Sequence, residues 1–210
     1  MIGPYLERLN RLRIILASAS ARRKEILEQI GLKFDVVPSA FEENLDKSSF
    51  KEPQDYALRN SELKAKQVAE SVDAFDLIIA CDTIVTCRGS IYEKPKDPSV
   101  AIQMLKDLSG STSEVHSGLT FVTVDSNGSR NFTSFTESTT VEFCELSEEV
   151  ITTYVRTGEP LDKAGAYGIQ GHAACLVKSI NGDFYNVVGF PLNHFCRQLS
   201  DVIQQGKMKL

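Results

Sequence analysis

The sequence predicts an α/β domain built on a mixed β-sheet. Three observations carry this expectation. Short apolar runs suited to strands alternate with segments whose apolar residues recur at helical spacing. Turn-rich stretches separate some neighbouring strands, as hairpins require, and helical segments separate others, as crossovers require. Neither a repeat nor a linker interrupts the chain, so residues 1–210 read as one domain.

After an amino-terminal leader without clear periodicity, Ile14 to Ala17 reads as a strand. Ser20 can cap a helix whose apolar residues Ile26, Leu27 and Ile30 precede Gly31. "FDVVP" supplies a second short strand, and a polar segment with Glu42 and Glu43 follows. Pro53 opens a long helix through Tyr56, Ala57, Lys64, Ala65, Val68 and Ala69. "LIIACDTIV" is a buried strand interrupted by an acid, and "RGS" at Arg88 to Ser90 is a turn. Asp97 and Pro98 form the cap and first position of a helix ending near "LSG". "LTFVTV" and "TTVEF" are strands flanking the turn-rich "DSNGS". In "SEEVITTYVRTG" a Ser cap, acids in the first turn and Gly158 at the end mark a further helix. The last third holds "KAGAYGIQG", a strand "CLVKSI", an Asn-Gly turn and a carboxy-terminal helix from about Pro191.

Composition narrows the possible functions. With 42% hydrophobic residues in 210, the chain can build a substantial core. No apolar run approaches the roughly 18 residues of a membrane span. The first residues, "MIGPYLERLNRLR", lack the apolar core of a signal peptide, so no membrane partner and a cytoplasmic location are expected. The net charge of −5, with Lys and Arg dispersed, argues against a nucleic-acid polymer as partner. A small anionic ligand needs only a few converging cations and N–H groups. The five scattered cysteines contain no C-x-x-C pair, which predicts buried free thiols and neither a disulfide framework nor a zinc site.

Chemistry concentrates in a few positions. Asp82 ends a run of residues suited to a sheet interior, where a carboxylate is costly without a partner. It reads as a strand-end acid capping a turn, or as a metal ligand or general base at a cleft. Glu42 and Glu43 add carboxylates that matter only if they approach Asp82. Arg22 and Arg23 fall in the first turn of a helix, where a cation is disfavoured by roughly 0.3–1 kcal/mol. Together with Lys64 and Lys94 they suit several phosphate oxygens. Small Ser18, Ala19 and Ser20 let a phosphate approach the loop and helix N–H groups, so a bound polyphosphate would offset the repulsion. There is no G-x-x-x-x-G-K-[ST] loop, G-x-S-x-G elbow or H-E-x-x-H helix, and His116, His172 and His194 are far apart in sequence and read as structural.

The combination of "ILASASARRKEIL", "ACDTIV", "EKPKD" and "LDKAGAYGIQG", in that order, closely resembles the Maf family of nucleoside-triphosphate pyrophosphatases, named for septum formation. The resemblance covers nearly the whole chain. It departs at Ala21, where Pro is common, and at Cys81, where Ala is usual; neither change removes a charge. It implies an elongated mixed sheet with flanking helices and two lobes around a cleft, similar to the inosine-triphosphate pyrophosphatases, and a homodimer. Carried over residue by residue, it implies Asp82 as catalytic acid or base, Glu43 on the metal side with Asp82, and Ser18, Arg23, Lys64 and Lys94 around the phosphates. Arg22, Thr83 and Gln170 match positions associated with substrate choice. The Arg-Arg pair and "AYGIQG" resemble the subfamily acting on dTTP and UTP, not the one acting on 7-methyl-GTP. The resemblance extends to the amino-terminal domain of a vertebrate methyltransferase-like protein, although no room for a methyltransferase is expected in 210 residues.

The implied activity is Mg²⁺- or Mn²⁺-dependent hydrolysis between the α and β phosphates, a house-cleaning reaction on nucleotide pools. A nucleotide-sensing regulator of cell division is the alternative, and the two differ in whether pyrophosphate is released. For base choice, the Gln170 amide both donates and accepts: held by its surroundings it would match the N3–H and adjacent carbonyl of uracil or thymine and leave mismatched polar groups on cytosine, whereas the alternative is that Gln170 only ties its loop to backbone.

Overall fold

The computed structural model describes residues 1–210. Seven strands form one sheet in the order β2-β1-β3-β5-β6-β7, with β4 paired to β3 outside this path. Its strands are β1 (Ile14–Leu16), β2 (Asp35–Val36), β3 (Leu77–Cys87), β4 (Ser90–Tyr92), β5 (Thr112–Val124), β6 (Arg130–Phe143) and β7 (Val177–Asn181). The helices are α1 (Leu6–Leu9), α2 (Ala21–Gln29), α3 (Pro53–Ser71), α4 (Pro98–Leu108), α5 (Glu148–Arg156), α6 (Phe184–Val188) and α7 (Leu192–Gln204). β1 runs parallel to both β2 and β3, whereas the β3–β4 and β6–β7 pairs are antiparallel. The sheet is therefore mixed, as the alternation of crossovers and hairpins predicts. None of the helices is long and apolar enough to cross a membrane.

Local chemistry explains most boundaries. Ser20, Asp97 and Ser147 each accept a hydrogen bond from a first-turn N–H, so the three caps read from the sequence form. Gly158 ends α5 at φ 78°. Arg88 and Gly89 both hold positive φ, the backbone of a tight hairpin between β3 and β4. All of β3 except Thr83 is buried, which accounts for its nearly continuous apolar run.

β3 runs two residues past the expected Val85, and two strands are much longer than expected. β5 begins at Thr112 instead of Leu119, and β6 at Arg130 instead of Thr139. The added part of β5 carries buried Ser113, His116 and Ser117, which break the apolar pattern. Hydrogen bonds make this tolerable: Ser113 Oγ donates to Val141 O, while His116 pairs with Thr86 Oγ1 at 3.0 Å and Ser138 Oγ at 2.7 Å. The strand predicted as "CLVKSI" loses its first residues to a 3-10 turn over His172–Cys175, and α6 has no counterpart in the sequence reading. All five cysteines are free, but only Cys81 and Cys87 are buried; Cys175 is exposed, contrary to the expectation for it.

The chain divides into two compact units. The first contains Met1–Asp82, Ser117–Glu137 and Gly189–Leu210; the second contains Thr83–His116 and Ser138–Val188. In the first, Ile15, Ala17, Ile78, Ala80 and Val122 form a core with Ala65, Val68 and Ala69 of α3. In the second, Val85, Val115, Val141 and Phe143 pack with Ala101, Leu105 and Leu108 of α4 and Ile151, Tyr154 and Val155 of α5.

Gly118 of β5 sets how closely α3 approaches. A Cβ there would stand 2.3 Å from Leu58 N and 2.5 Å from Ala57 C, both backbone atoms of α3 that cannot yield separately. Just beyond, Ser61 Oγ meets Thr120 Oγ1 at 2.8 Å. Gly118→Ala is expected to destabilise the fold by about 1–3 kcal/mol or more through overpacking. Urea unfolding checks this, and unchanged stability would show that the helix can move away freely.

Candidate active site

The site starts from an anomaly in α3. Its buried face includes Tyr56, Asn60, Lys64 and Val68, each one turn beyond the last, so an amide and an ammonium interrupt an otherwise apolar row. Asn60 is fully buried and Lys64 is 8% exposed. Such groups need partners.

Asp82 of β3 is that partner. Lys64 Nζ lies 2.7 Å from Asp82 Oδ1, and Asn60 Nδ2 donates to Asp82 Oδ2 at 3.0 Å. One turn of helix thus engages both oxygens of the carboxylate and fixes its plane. The same Nζ lies 2.8 Å from Glu43 Oε1, so two carboxylates converge on one ammonium. Glu43 is much more open to solvent, with 43% of its side chain exposed.

Arg23 brings a second cation to the strand that carries Asp82. Its Nη1 donates to Cys81 O at 2.7 Å and to Ser18 Oγ at 3.1 Å, and its Nε donates to Gly189 O at 2.9 Å. The cation that looks misplaced in the first turn of α2 therefore ties the β1–α2 loop and the residue after α6 to β3. Ser18 Oγ also accepts from Ser20 N at 3.2 Å, which shapes the small-residue loop, and Ser20 Oγ accepts from Arg23 N.

Burial pushes the Asp82 carboxyl up, but the Lys64 ammonium, the Arg23 charge and the Asn60 amide outweigh it and hold it below the usual carboxylate range. Asp82 is therefore ionised at neutral pH and acts only as an acceptor. Two cations and two anions make this centre nearly neutral, with every charge held by named partners.

The structure brings Ser18, Arg23, Glu43, Lys64 and Asp82 together in the first unit. Arg22 is half-buried beside Arg23 in the same helix turn. Thr83, Lys94 and Gln170 belong to the second unit. Thr83 follows Asp82 in β3 and is partly buried, Lys94 is exposed in the segment between β4 and α4, and Gln170 is exposed between Gly168 and Gly171. Asn60 is the residue that sequence reasoning missed. Its signal was present: a second polar side chain, one turn before Lys64, on the apolar face of the helix. His116 and His194 are occupied structurally, the latter by Glu137 at 2.7 Å and Gln198 at 3.2 Å.

Removing Lys64 alone strands a buried carboxylate. Lys64→Met is expected to cost about 3–5 kcal/mol at pH 7, and adding Asp82→Leu to recover more than half of it. The folded Asp82 carboxyl lies below its unfolded value, so its contribution is complete above about pH 4 and is lost as pH falls through the folded value. The Lys64→Met deficit should therefore shrink toward low pH. Denaturant titrations of the three proteins across pH check both statements; a pH-independent deficit without recovery in the double variant contradicts them.

The chain is similar to known proteins over most of its length. The family profile described as Maf-like protein matches residues 13–202. A human protein named "Probable bifunctional dTTP/UTP pyrophosphatase/methyltransferase protein" is 49% identical over 207 residues, covering 95% of this chain. The matched segment is 33% of that human protein, so this chain spans about a third of its length. A Clostridium novyi protein named "dTTP/UTP pyrophosphatase" is 41% identical over 91% of this chain and 98% of its own. Among solved structures, the Staphylococcus aureus Ham1 protein is 16% identical, with a TM-score of 0.45 over 90% of this chain and 98% of that one. A Mycobacterium abscessus nucleoside-triphosphatase, a dITP/XTP pyrophosphatase, is 12% identical, with a TM-score of 0.43 over 92% and 95%. The profile match over nearly the whole chain, with close relatives across the same residues, shows that this chain belongs to the Maf family.

Proposed function

We propose that this chain is a nucleoside-triphosphate pyrophosphatase that hydrolyses dTTP and UTP to the monophosphate and pyrophosphate. The observation that carries this reading is the buried, ionised Asp82, aimed by Lys64 and Asn60 and faced by Glu43. Its relatives' names supply the substrate class.

The residues fit a hard divalent cation. Asp82 and Glu43 converge on one point, bridged here by the Lys64 ammonium, and Mg²⁺ is commonly held by one or two carboxylates together with substrate phosphates. No three His, Cys, Asp or Glu side chains cluster to form a complete cage, so phosphates and water would supply the remaining ligands. Charge points the same way, because Arg23 and Lys64 are balanced by Asp82 and Glu43 and leave little positive charge for a polyphosphate. Asp82 and Glu43 would hold Mg²⁺ or Mn²⁺, which when bound would polarise a phosphoryl oxygen.

The chain's own groups have separable tasks in this scheme. Asp82, acceptor-only and fixed in plane, takes a hydrogen bond or the proton from the water that attacks the α phosphorus. Lys64 and Lys94 offset charge on the reacting phosphates, and Arg23 and Arg22 bind phosphate oxygens alongside the Ser18 hydroxyl and the loop N–H groups. The α–β anhydride bond breaks and pyrophosphate leaves with the electron pair. Thr83 and Gln170 act in substrate choice. The five thiols free of disulfides suit the reducing cytoplasm. The homodimer implied by the family resemblance completes the proposal, and sedimentation tests it.

Product analysis with a panel of triphosphates and Mg²⁺ is expected to yield monophosphate plus pyrophosphate. Intact nucleotide, or diphosphate plus free phosphate, would overturn the assignment. Asp82→Asn should fold, because Glu43 remains as a partner for Lys64, and should lose roughly 10²–10⁴-fold in kcat; near-normal turnover would remove Asp82 from the chemistry. Gln170→Glu is expected to lower kcat/KM for UTP and dTTP about tenfold more than for CTP, since a carboxylate cannot donate to O4 but can accept from the cytosine amino group. Equal losses on all three would assign Gln170 to the loop alone.

A further inference from the structure

The loop that carries Gln170 is built on a single carboxylate. Glu159 lies in a 3-10 turn over Glu159–Asp162, eleven residues before Gln170 in sequence. Its Oε2 accepts from His172 N at 2.9 Å, and its Oε1 accepts from Tyr154 Oη at 3.0 Å and from Ala173 N at 3.4 Å. The two backbone donors open the 3-10 turn His172–Cys175 immediately after the loop, so an anion meets unpaired N–H groups.

The glycines that bracket Ile169 and Gln170 lie directly against this support. A Cβ on Gly171 would fall 2.4 Å from Glu159 Oε2 and 2.5 Å from its Cδ. A Cβ on Gly168 would fall 2.4 Å from Lys163 Cε. Lys163 in turn donates to Glu159 O at 2.8 Å and to Asp162 Oδ1 at 2.6 Å. Gly171 N donates to Gly168 O at 3.0 Å, closing a turn around Ile169 and Gln170. Gly168 N reaches Tyr154 Oη at 3.3 Å, so the hydroxyl that donates to Glu159 also accepts from the loop. Ile169 points inward at 8% exposure while Gln170 is exposed. Besides its own Gly171–Gly168 hydrogen bond and the buried Ile169, this turn is held by Glu159, Lys163 and Tyr154.

We propose that Glu159 is the positioning residue for nucleobase selection: its carboxylate holds the Gly168–Gly171 turn so that the Gln170 amide is presented in one orientation to a uracil or thymine edge. This inference rests on the reading that Gln170 selects the base. A side-chain amide discriminates only when held, because a mobile one turns over and presents donor or acceptor on demand. Without the carboxylate the two N–H groups and the tyrosine hydroxyl lose their common acceptor. The turn then samples other orientations, and cytosine is no longer penalised.

The test uses equilibrium binding of non-hydrolysable α,β-methylene analogues of UTP and CTP, measured by calorimetry, with hydrogen exchange of the 168–174 amides as a second readout. Glu159→Ala is expected to accelerate exchange of the His172 and Ala173 amides and to reduce the preference for UTP about tenfold. In a Gln170→Ala background, where the preference is already lost, Glu159→Ala should change it less than about twofold, because coupled residues are not additive. Should Glu159→Ala fail to fold, Gly171→Ala pushes the carboxylate off the loop without removing Glu159 from the chain and is expected to give the same loss. Preference retained despite a loosened loop, additive losses in the double variant, or no preference in the unaltered protein would each overturn the proposal. Analogue discrimination without hydrolysis of natural triphosphates would instead defeat the enzymatic assignment and leave Glu159 in its role.

Discussion

The buried contact between Lys64 and Asp82 is the constraint on which the candidate site depends. A carboxylate in the interior of a sheet is tolerated only beside a compensating charge, and an ammonium on the buried face of a helix has the same need. Each explains the other. The 2.7 Å contact fixes α3 in rotation and translation over β3, and Gly118 permits the approach by leaving no side chain between β5 and the helix backbone. Asn60 completes the arrangement by holding the second carboxylate oxygen. A buried ion pair of this kind is weak evidence for stability, since an apolar pair of similar volume would serve as well. What the pair provides is a fixed, ionised carboxylate next to the partly exposed Glu43.

Arg23 shows how one residue joins fold to site. Its guanidinium binds the backbone carbonyls of Cys81 and Gly189 and the hydroxyl of Ser18, so it locks the loop before α2 against the strand carrying Asp82. Its charge also lowers the Asp82 carboxyl. The planar, multiply donating fork suits this work in a way that a lysine ammonium would not. The unfavourable position in the first turn of α2 is thus compensated within the protein itself, and a phosphate would add to that compensation.

The elements with local signals were legible in the chain: the capped helices at Ser20, Asp97 and Ser147, the hairpin at Arg88 and Gly89, and the buried run of β3. Elements whose order comes from partners distant in sequence were not. The first half of β5 looks too polar for a buried strand, because His116 and Ser113 are satisfied by Thr86, Ser138 and the Val141 carbonyl. Among site residues, Asp82 announced itself as an acid in an apolar run, and Lys64 as a cation within a predicted helix. Asn60 was marked only by its place one turn before Lys64 on the apolar face of the helix. Glu159 carries no signal in the sequence, and only the folded turn shows Gly171 packed against it and Gly168 against Lys163.

Taken alone, the sequence determined the α/β class, the mixed sheet, most helix boundaries and the family, because caps, turns, periodicity and motif order are properties of short segments. It also named the charged groups of the site. Tertiary structure decided which of them meet: that Lys64 bridges Asp82 and Glu43, that Arg23 also binds backbone carbonyls, that Asn60 donates to the second oxygen of Asp82, and that Glu159 accepts from the backbone after the Gly168–Gly171 turn. The physical reason is range. Local propensities act over a few residues, whereas the partners that make a buried charge or an ordered loop tolerable lie tens of residues away and exist only once the chain has folded.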